Sequence, residues 1–189
     1  MVFDFRETRI CGLTMISPFY AQDNRGYFMK IFEKDIWQKN GILVLPQEEL
    51  LSCSQKGVIR GLHFQKRYSQ DKLVRVLSGS VYDVAVDLRK DSPTFGQWQG
   101  FYLSAENHQM LYIPKGFAHG FLALEDNTLF SYLCGDRYDP ESDGGIRWDD
   151  PDVGVEWPLD HVGDVIVSDK DRALPSFADF CRDFGGFEL

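Results

Sequence analysis

Apolar residues along this chain fall in short runs broken by glycine, proline and polar turn residues. Within the runs they alternate with polar ones, the period of a strand rather than a helix. In "VYDVAVDL", residues 81–88, Tyr82, Val84, Val86 and Leu88 share one face, and Val81, Asp83, Ala85 and Asp87 share the other. "KLVRVL", then "SGS", then this run predict a hairpin. "DSPTFG", residues 91–96, is a turn cluster. "WQGFYLSAEN" and "QMLYIPKGFAHGFLALED" predict about three more strands, and "TLFSYLC" another. The helix candidates are "FEKDIWQKNG", residues 32–41, and "PSFADFCRDF", residues 175–184. Many short strands with Gly and Pro turns predict an all-β sandwich or barrel, a shape able to hold one small ligand in its mouth.

One run breaks the pattern. "GVIRGLHFQ", residues 57–65, reads as a buried strand through Val58, Ile59, Leu62 and Phe64, yet it carries Arg60 and His63. Strict alternation puts those two on opposite faces. A bulge or bend at Gly61 would bring them to the same face.

The chain has 189 residues, enough for one domain, residues 1–189, with a substantial core. Its 15 Phe, 8 Tyr and 4 Trp favour sheet. A net charge of -9 argues against a nucleic-acid-coating surface, but not against a local arginine-lined pocket for an anionic small molecule. Cys11, Cys53, Cys134 and Cys181 are far apart with no C-x-x-C, so neither a disulfide framework nor a structural zinc is expected. Reduced thiols, a start without a signal-peptide core and no apolar run near the roughly 18 residues of a membrane helix suggest a cytoplasmic protein without a membrane partner.

Several residues carry chemistry. His63 offers a general base, and Gln65 stands where a cupin metal site would want its second histidine, so no metal is expected. His119, in "PKGFAHGF", lies near a turn, while His108 and His161 lie in polar surroundings. Arg25 offers a donor fork for phosphate, Lys72 a cation for an oxyanion, and Tyr132 a proton donor. Asp171 and Asp169 are equal candidates to orient a histidine. Each alone also fits an ordinary role: core histidine, edge lysine, core tyrosine or turn arginine.

Together they fit a known pattern. "DNRGYF", "GVIRGLHFQ", "DKLVRVLSGSVYDVAVDLRKDSPTFGQW", "LSAEN", "YIPKGFAHGF", "GGIRWDDPDVGVEWP" and "SDKDRALP" occur in this order. The chain resembles dTDP-4-dehydrorhamnose 3,5-epimerases from about residue 5 to about residue 175. That resemblance implies a cupin-like β jelly roll with a few short flanking helices, acting as a homodimer on a nucleotide sugar with no cofactor and no metal. It implies His63 as base paired with Asp171, Lys72 as enolate stabiliser and Tyr132 as the acid on the opposite face. It also implies substrate contacts from Arg25, Arg60 and His119.

Three positions depart from the family pattern. Lys30 stands where a glutamate is expected, and Asp143 replaces another glutamate before "GxIxW". Glu48, Glu49 and Leu50 occupy the family's "QDN" positions, with Gln47 one place early. Lys30, Glu48 and Asp143 are therefore counted with the substrate-binding set. The expected reaction converts dTDP-4-dehydro-6-deoxy-D-glucose to dTDP-4-dehydro-L-rhamnose. The alternatives are a monoepimerase, an enzyme for a CDP- or GDP-linked 4-keto sugar, and a non-catalytic sugar-binding jelly roll. A 3,4-ketoisomerase or a metal-dependent cupin oxygenase would want a second histidine in "RGLHFQ".

Overall fold

A computed structural model describes residues 2–42 and 46–188 of the chain. In chain order its elements are β1 (Asp4–Glu7), β2 (Thr14–Ser17), β3 (Phe19–Asp23), β4 (Gly26–Lys30), α1 (Lys34–Lys39), β5 (Glu48–Ser54), β6 (Val58–Gln65), β7 (Lys72–Ser78) and β8 (Ser80–Asp87). Then follow β9 (Trp98–Ser104), β10 (Met110–Ile113), β11 (Phe117–Ala123), β12 (Thr128–Cys134), β13 (Asp143–Gly145), β14 (Ile166–Val167), α2 (Asp169–Arg172) and α3 (Phe177–Asp183). One sheet runs β1-β2-β10-β7-β12-β5. The other runs β13-β6-β11-β8-β9, with β14 beside β6. The strands β3 and β4 form a separate two-stranded hairpin. This is the jelly-roll architecture, all-β with short helices at its flanks.

The alternation in "VYDVAVDL" explains how β8 serves two cores. Val81 and Ala85 enter the cluster between the sheets, with Val74 and Val76 of β7, Phe121 of β11 and Phe130 of β12. Val84, Val86 and Leu88 face outward and are covered by Phe180 of α3 and Phe187. Phe121 and Phe130 stack at 4.5 Å across the interior. Each fully buried ring is worth about 1.5–3 kcal/mol relative to exposure. A capping box starts α3: the Ser176 hydroxyl accepts from the Asp179 N–H at 3.1 Å, and the Asp179 carboxylate accepts from the Ser176 N–H. Trp37 of α1 packs with Ile16, Leu73 and Met110 on the outside of the first sheet.

The predicted hairpin over residues 72–88 is not formed. Strand β7 pairs with β10 and β12, whereas β8 pairs with β11 and β9 in the other sheet. At Gly79, φ +78, the chain crosses between sheets instead of folding back within one. A β-carbon there would sit 2.4 Å from the Thr128 hydroxyl, so the crossing needs glycine. Local turn chemistry resembles a hairpin; the core between the two runs decides against it.

Strand β6 does bulge where its sequence suggested. His119 pairs with His63, and Phe121 pairs with Arg60, so three steps on β6 oppose two on β11. Gly61 takes φ +128, and a β-carbon on it would meet the Gly120 Cα at 2.6 Å. Arg60 and His63 thereby line one cavity. Alanine at Gly61 or Gly120 is expected to cost more than about 2 kcal/mol, from positive φ at the first and backbone contact at both. Alanine at Gly163, which has open space around it, should cost under about 0.5 kcal/mol. Urea unfolding of the three variants checks this.

Candidate active site

The cavity between the sheets has a volume of about 410 Å³ and is lined by Arg60, His63, Lys72, Tyr132, Asp143 and Asp171, with Ser52, Gln65, Cys134, Tyr138 and Lys170 among its other walls. His63 comes from one sheet, and Lys72 and Tyr132 come from neighbouring strands of the other. A ligand held there meets the histidine and the tyrosine from different sides.

Local structure places the histidine's partner. Parallel pairing of β14 with β6, Ile166 to Val58 and Val167 to Ile59, brings the next turn against β6. Ser168 caps α2 by accepting from the Asp171 N–H at 3.1 Å. This four-residue helix was not expected from the sequence. It places Asp171 Oδ1 2.8 Å from His63 Nε2, while Oδ2 accepts from the Gly61 N–H at 3.1 Å. Asp171, not Asp169, therefore makes the pair. Burial pushes the Asp171 carboxyl up, but bonding from His63, the charge of that ring, the Gly61 N–H and Ser168 outweigh it and hold it below the usual carboxylate range. An ionised Asp171 accepts a hydrogen bond from Nε2–H and so leaves Nδ1 of His63 as the free base.

Two cations face the cavity unneutralised. Neither Arg60 nor Lys72 has a carboxylate partner among the described residues. Arg60 donates from Nε to the Ser54 hydroxyl at 3.2 Å. Burial pulls the Lys72 ammonium below the usual lysine range, and Cys134, Asp143 and Asp83 act against that pull. Burial pushes the Tyr132 phenol up, so it stays protonated. A second, larger cavity of about 780 Å³ contains Arg89 and Lys115, but these are already paired with Asp87 and Asp136. It has no histidine.

Other expected contacts lie elsewhere. Arg25 sits on the exposed β3–β4 turn, bound to Asp23, and Lys30 is bound to Glu33; neither lines this cavity. His119 lies behind the wall, 4 % exposed, with Nε2 2.8 Å from Oδ2 of the fully buried Asp83. Glu48 holds the rim, accepting from the Tyr138 N–H at 2.8 Å. Asp143 accepts from Lys170 at 2.5 Å and from the Tyr138 hydroxyl at 3.2 Å. Tyr138, Lys170 and Asp83 were not singled out from the sequence. Asp83 had a signal, since with Asp87 it puts two acids on a strand face shared with Val81 and Ala85; the rim pair Tyr138 and Lys170 had none. Among the described residues, no group of three or more His, Cys, Asp or Glu side chains is placed to hold a metal ion.

The family model described as dTDP-4-dehydrorhamnose 3,5-epimerase matches residues 7–179. A protein of that description from Methanothermobacter thermautotrophicus is 52% identical over 170 residues, covering 90% of this chain and 92% of its own. The crystal structure of dTDP-6-deoxy-D-glucose-3,5-epimerase from Legionella pneumophila, in complex with dTDP-4-keto-L-rhamnose, is 44% identical with a TM-score of 0.88, covering 93% of each chain. A 3'-monoepimerase from Streptomyces bikiniensis, in complex with dTDP-quinovose, is 30% identical with a TM-score of 0.85, covering 93% of this chain and 88% of its own.

The depressed Asp171 carboxyl sets a pH dependence. Its stabilisation is fully present above the ordinary carboxylate pKa, about 4, and is lost as pH falls through the lower folded value. Asp171→Asn removes that term, so as pH falls below about 4 the variant should lose less stability than the wild type. Denaturant unfolding at stepped pH measures the difference; parallel curves would contradict it.

Proposed function

The chain belongs to the dTDP-4-dehydrorhamnose 3,5-epimerase family, and we propose that this cavity carries out its inversions with His63, Lys72 and Tyr132. The substrate is dTDP-4-dehydro-6-deoxy-D-glucose and the product is dTDP-4-dehydro-L-rhamnose. The observation that carries the assignment is His63 of one sheet, paired with Asp171 of α2, facing across the cavity a protonated Tyr132 and a Lys72 with no carboxylate partner among the described residues.

The C4 ketone acidifies the hydrogens on C3 and C5. His63 Nδ1 takes one of them, and the electron pair moves into an enolate on the C4 oxygen. Asp171 steadies the resulting imidazolium. Lys72 lies in a buried setting where a positive group near that oxygen is worth about 3–4 kcal/mol in the transition state. Tyr132 returns a proton from the other side, inverting the centre, and regains its own from solvent, to which His63 releases the proton it took. Repetition at the second carbon completes the reaction. Arg60, without a carboxylate of its own, binds the diphosphate through its donor fork.

The working unit we propose is a homodimer of one jelly-roll domain in the cytoplasm. The β3–β4 hairpin lies off both sheets and exposes Tyr27 and Phe28, 60% and 62% accessible. Burying them against a second copy gives Arg25 and Lys30 a route to a substrate that their own chain's cavity does not offer. No helix among the described residues is long and apolar enough to cross a membrane, and all four cysteines are free.

Proton NMR in heavy water with the dTDP substrate tests the reaction. Deuterium is expected at both C3 and C5; entry at one carbon alone would make the protein a monoepimerase. Exchange only with the CDP or GDP analogue would move the substrate. His63→Ala should abolish exchange with the fold retained, and Tyr132→Phe should keep part of the exchange while losing net inversion. Lys72→Met should slow turnover by about 10²–10³-fold. Since it also removes a buried, unpaired cation, its melting temperature should equal or exceed that of the wild type. A Lys72→Met variant with wild-type kcat would sink the enolate role.

A further inference from the structure

We propose that Gln65 is a positioning residue: its side-chain amide grips the backbone on both sides of Tyr138 and so holds that ring over the mouth of the cavity. The inference rests on the epimerase reading of this cavity. Gln65 is 5 % exposed at the end of β6, two residues after His63 and therefore on the same face of the strand. Its Nε2 donates to the carbonyl of Arg137 at 3.0 Å, and its Oε1 accepts from the N–H of Asp139 at 2.7 Å. Those are the two residues flanking Tyr138. The amide's second N–H goes to the carbonyl of Tyr68 at 2.9 Å. Both donors are used and the oxygen is engaged, so the partners fix the amide's orientation. Turned over, it would set its oxygen against two carbonyls.

The segment so held is placed by polar contacts rather than by an apolar core. Gln70 donates to the Asp136 carbonyl at 2.8 Å, the buried Ser142 donates to the Arg67 carbonyl at 3.0 Å, and the Arg137 guanidinium lies over the Tyr68 ring. Among these contacts only the Gln65 amide bonds to the backbone on both sides of Tyr138. Arg137, Tyr138, Pro140 and Glu141 are exposed, and no large apolar side chain of residues 136–142 is buried. Position in such a stretch depends on directional bonds more than on packing. Glu48 adds one bond at the Tyr138 N–H, and Asp143 receives the phenol. The strand that carries the base thus also sets the register of the rim aromatic. A glutamine suits this task where another residue would not. It offers two donors and an acceptor on one planar group, able to pair with a peptide as a neighbouring strand does. Glutamate keeps the acceptor but faces both carbonyls with no donor, and methionine keeps the volume without polar atoms.

The test is a double-mutant cycle on kcat and KM with Gln65→Met, Tyr138→Ala and the pair. If Gln65 acts through Tyr138, Gln65→Met lowers kcat/KM by about ten- to a hundredfold. It should divide that loss between KM and kcat in the same proportion as Tyr138→Ala. The double variant should then be no worse than Tyr138→Ala within about twofold. Losses that multiply, or wild-type kcat/KM in Gln65→Met, would overturn the proposal. Should Gln65→Met fail to fold, Gln65→Asn, too short to reach all three partners, enters the same cycle. The wild type is the internal reference: if it shows no turnover, the epimerase reading fails. The same cycle is then read on dTDP affinity by calorimetry, where additive losses still refute the coupling.

Discussion

The close crossing of β6 and β11 at Gly61 and Gly120 is the constraint on which the site depends. A regular ladder would turn Arg60 and His63 to opposite faces, one into the cavity and one into the apolar layer under α3. The extra residue on β6 returns both to the inner face. The same kink presents the Gly61 N–H to Asp171, so the bulge also helps to place the carboxylate that holds the histidine. Backbone geometry, base and orienting acid are a single arrangement. Glycine is required at both positions because neither backbone leaves room for a β-carbon.

Electrostatics inside the barrel follow from what is paired and what is left free. Arg89, Lys115 and Lys170 all have carboxylate partners, whereas Lys72 and Arg60 have none among the described residues. Arg60 is exposed, but Lys72 is partly enclosed, and an unpaired cation there costs stability. That cost becomes useful when a ligand brings negative charge, because the attraction acts in a poorly screened space and needs no rearrangement. The buried Asp83, paired on one oxygen with His119, lies behind this wall and tempers the positive field at Lys72.

Much of the architecture was legible because alternation has one meaning on a strand. Tyr82 to Leu88 split into two faces as written, and α1 and α3 fall inside residues 32–41 and 175–184. The hairpin over residues 72–88 misled because a turn signal reports local conformation, while sheet membership is decided by the partners each strand finds in the core. The helix α2 is too short for any periodicity to announce it, yet it separates Asp171 from its chemical twin Asp169. His63, Lys72, Tyr132, Asp171 and Arg60 were each visible as residue types, and the fold brings them to one cavity together with Asp143. Lys30, Glu48 and Asp143 were placed only by likeness to a pattern, and the substrate roles of Arg25 and His119 rested largely on it; such likeness does not say whether a residue touches a ligand or supports one that does.

The departures from the family pattern are not spread evenly. Lys30 lies on the exposed hairpin side, and Glu48 and Asp143 lie at the rim, while the inner set of His63, Asp171, Lys72 and Tyr132 is intact. Glu48 and Asp143 share one feature: both bond to Tyr138, one at its N–H and the other at its hydroxyl. A carboxylate at position 48 accepts that N–H with one oxygen, and a shorter acid at position 143 still reaches both the phenol and Lys170. Two of the departures, Glu48 and Asp143, therefore meet in three dimensions at one rim aromatic, while Leu50 lines the cavity itself. In the proposed reaction the inner residues work on a ketone, a requirement set by chemistry that leaves few substitutes. The rim only has to hold an aromatic ring in place, which several combinations of hydrogen bonds can do, and there the sequence has room to vary.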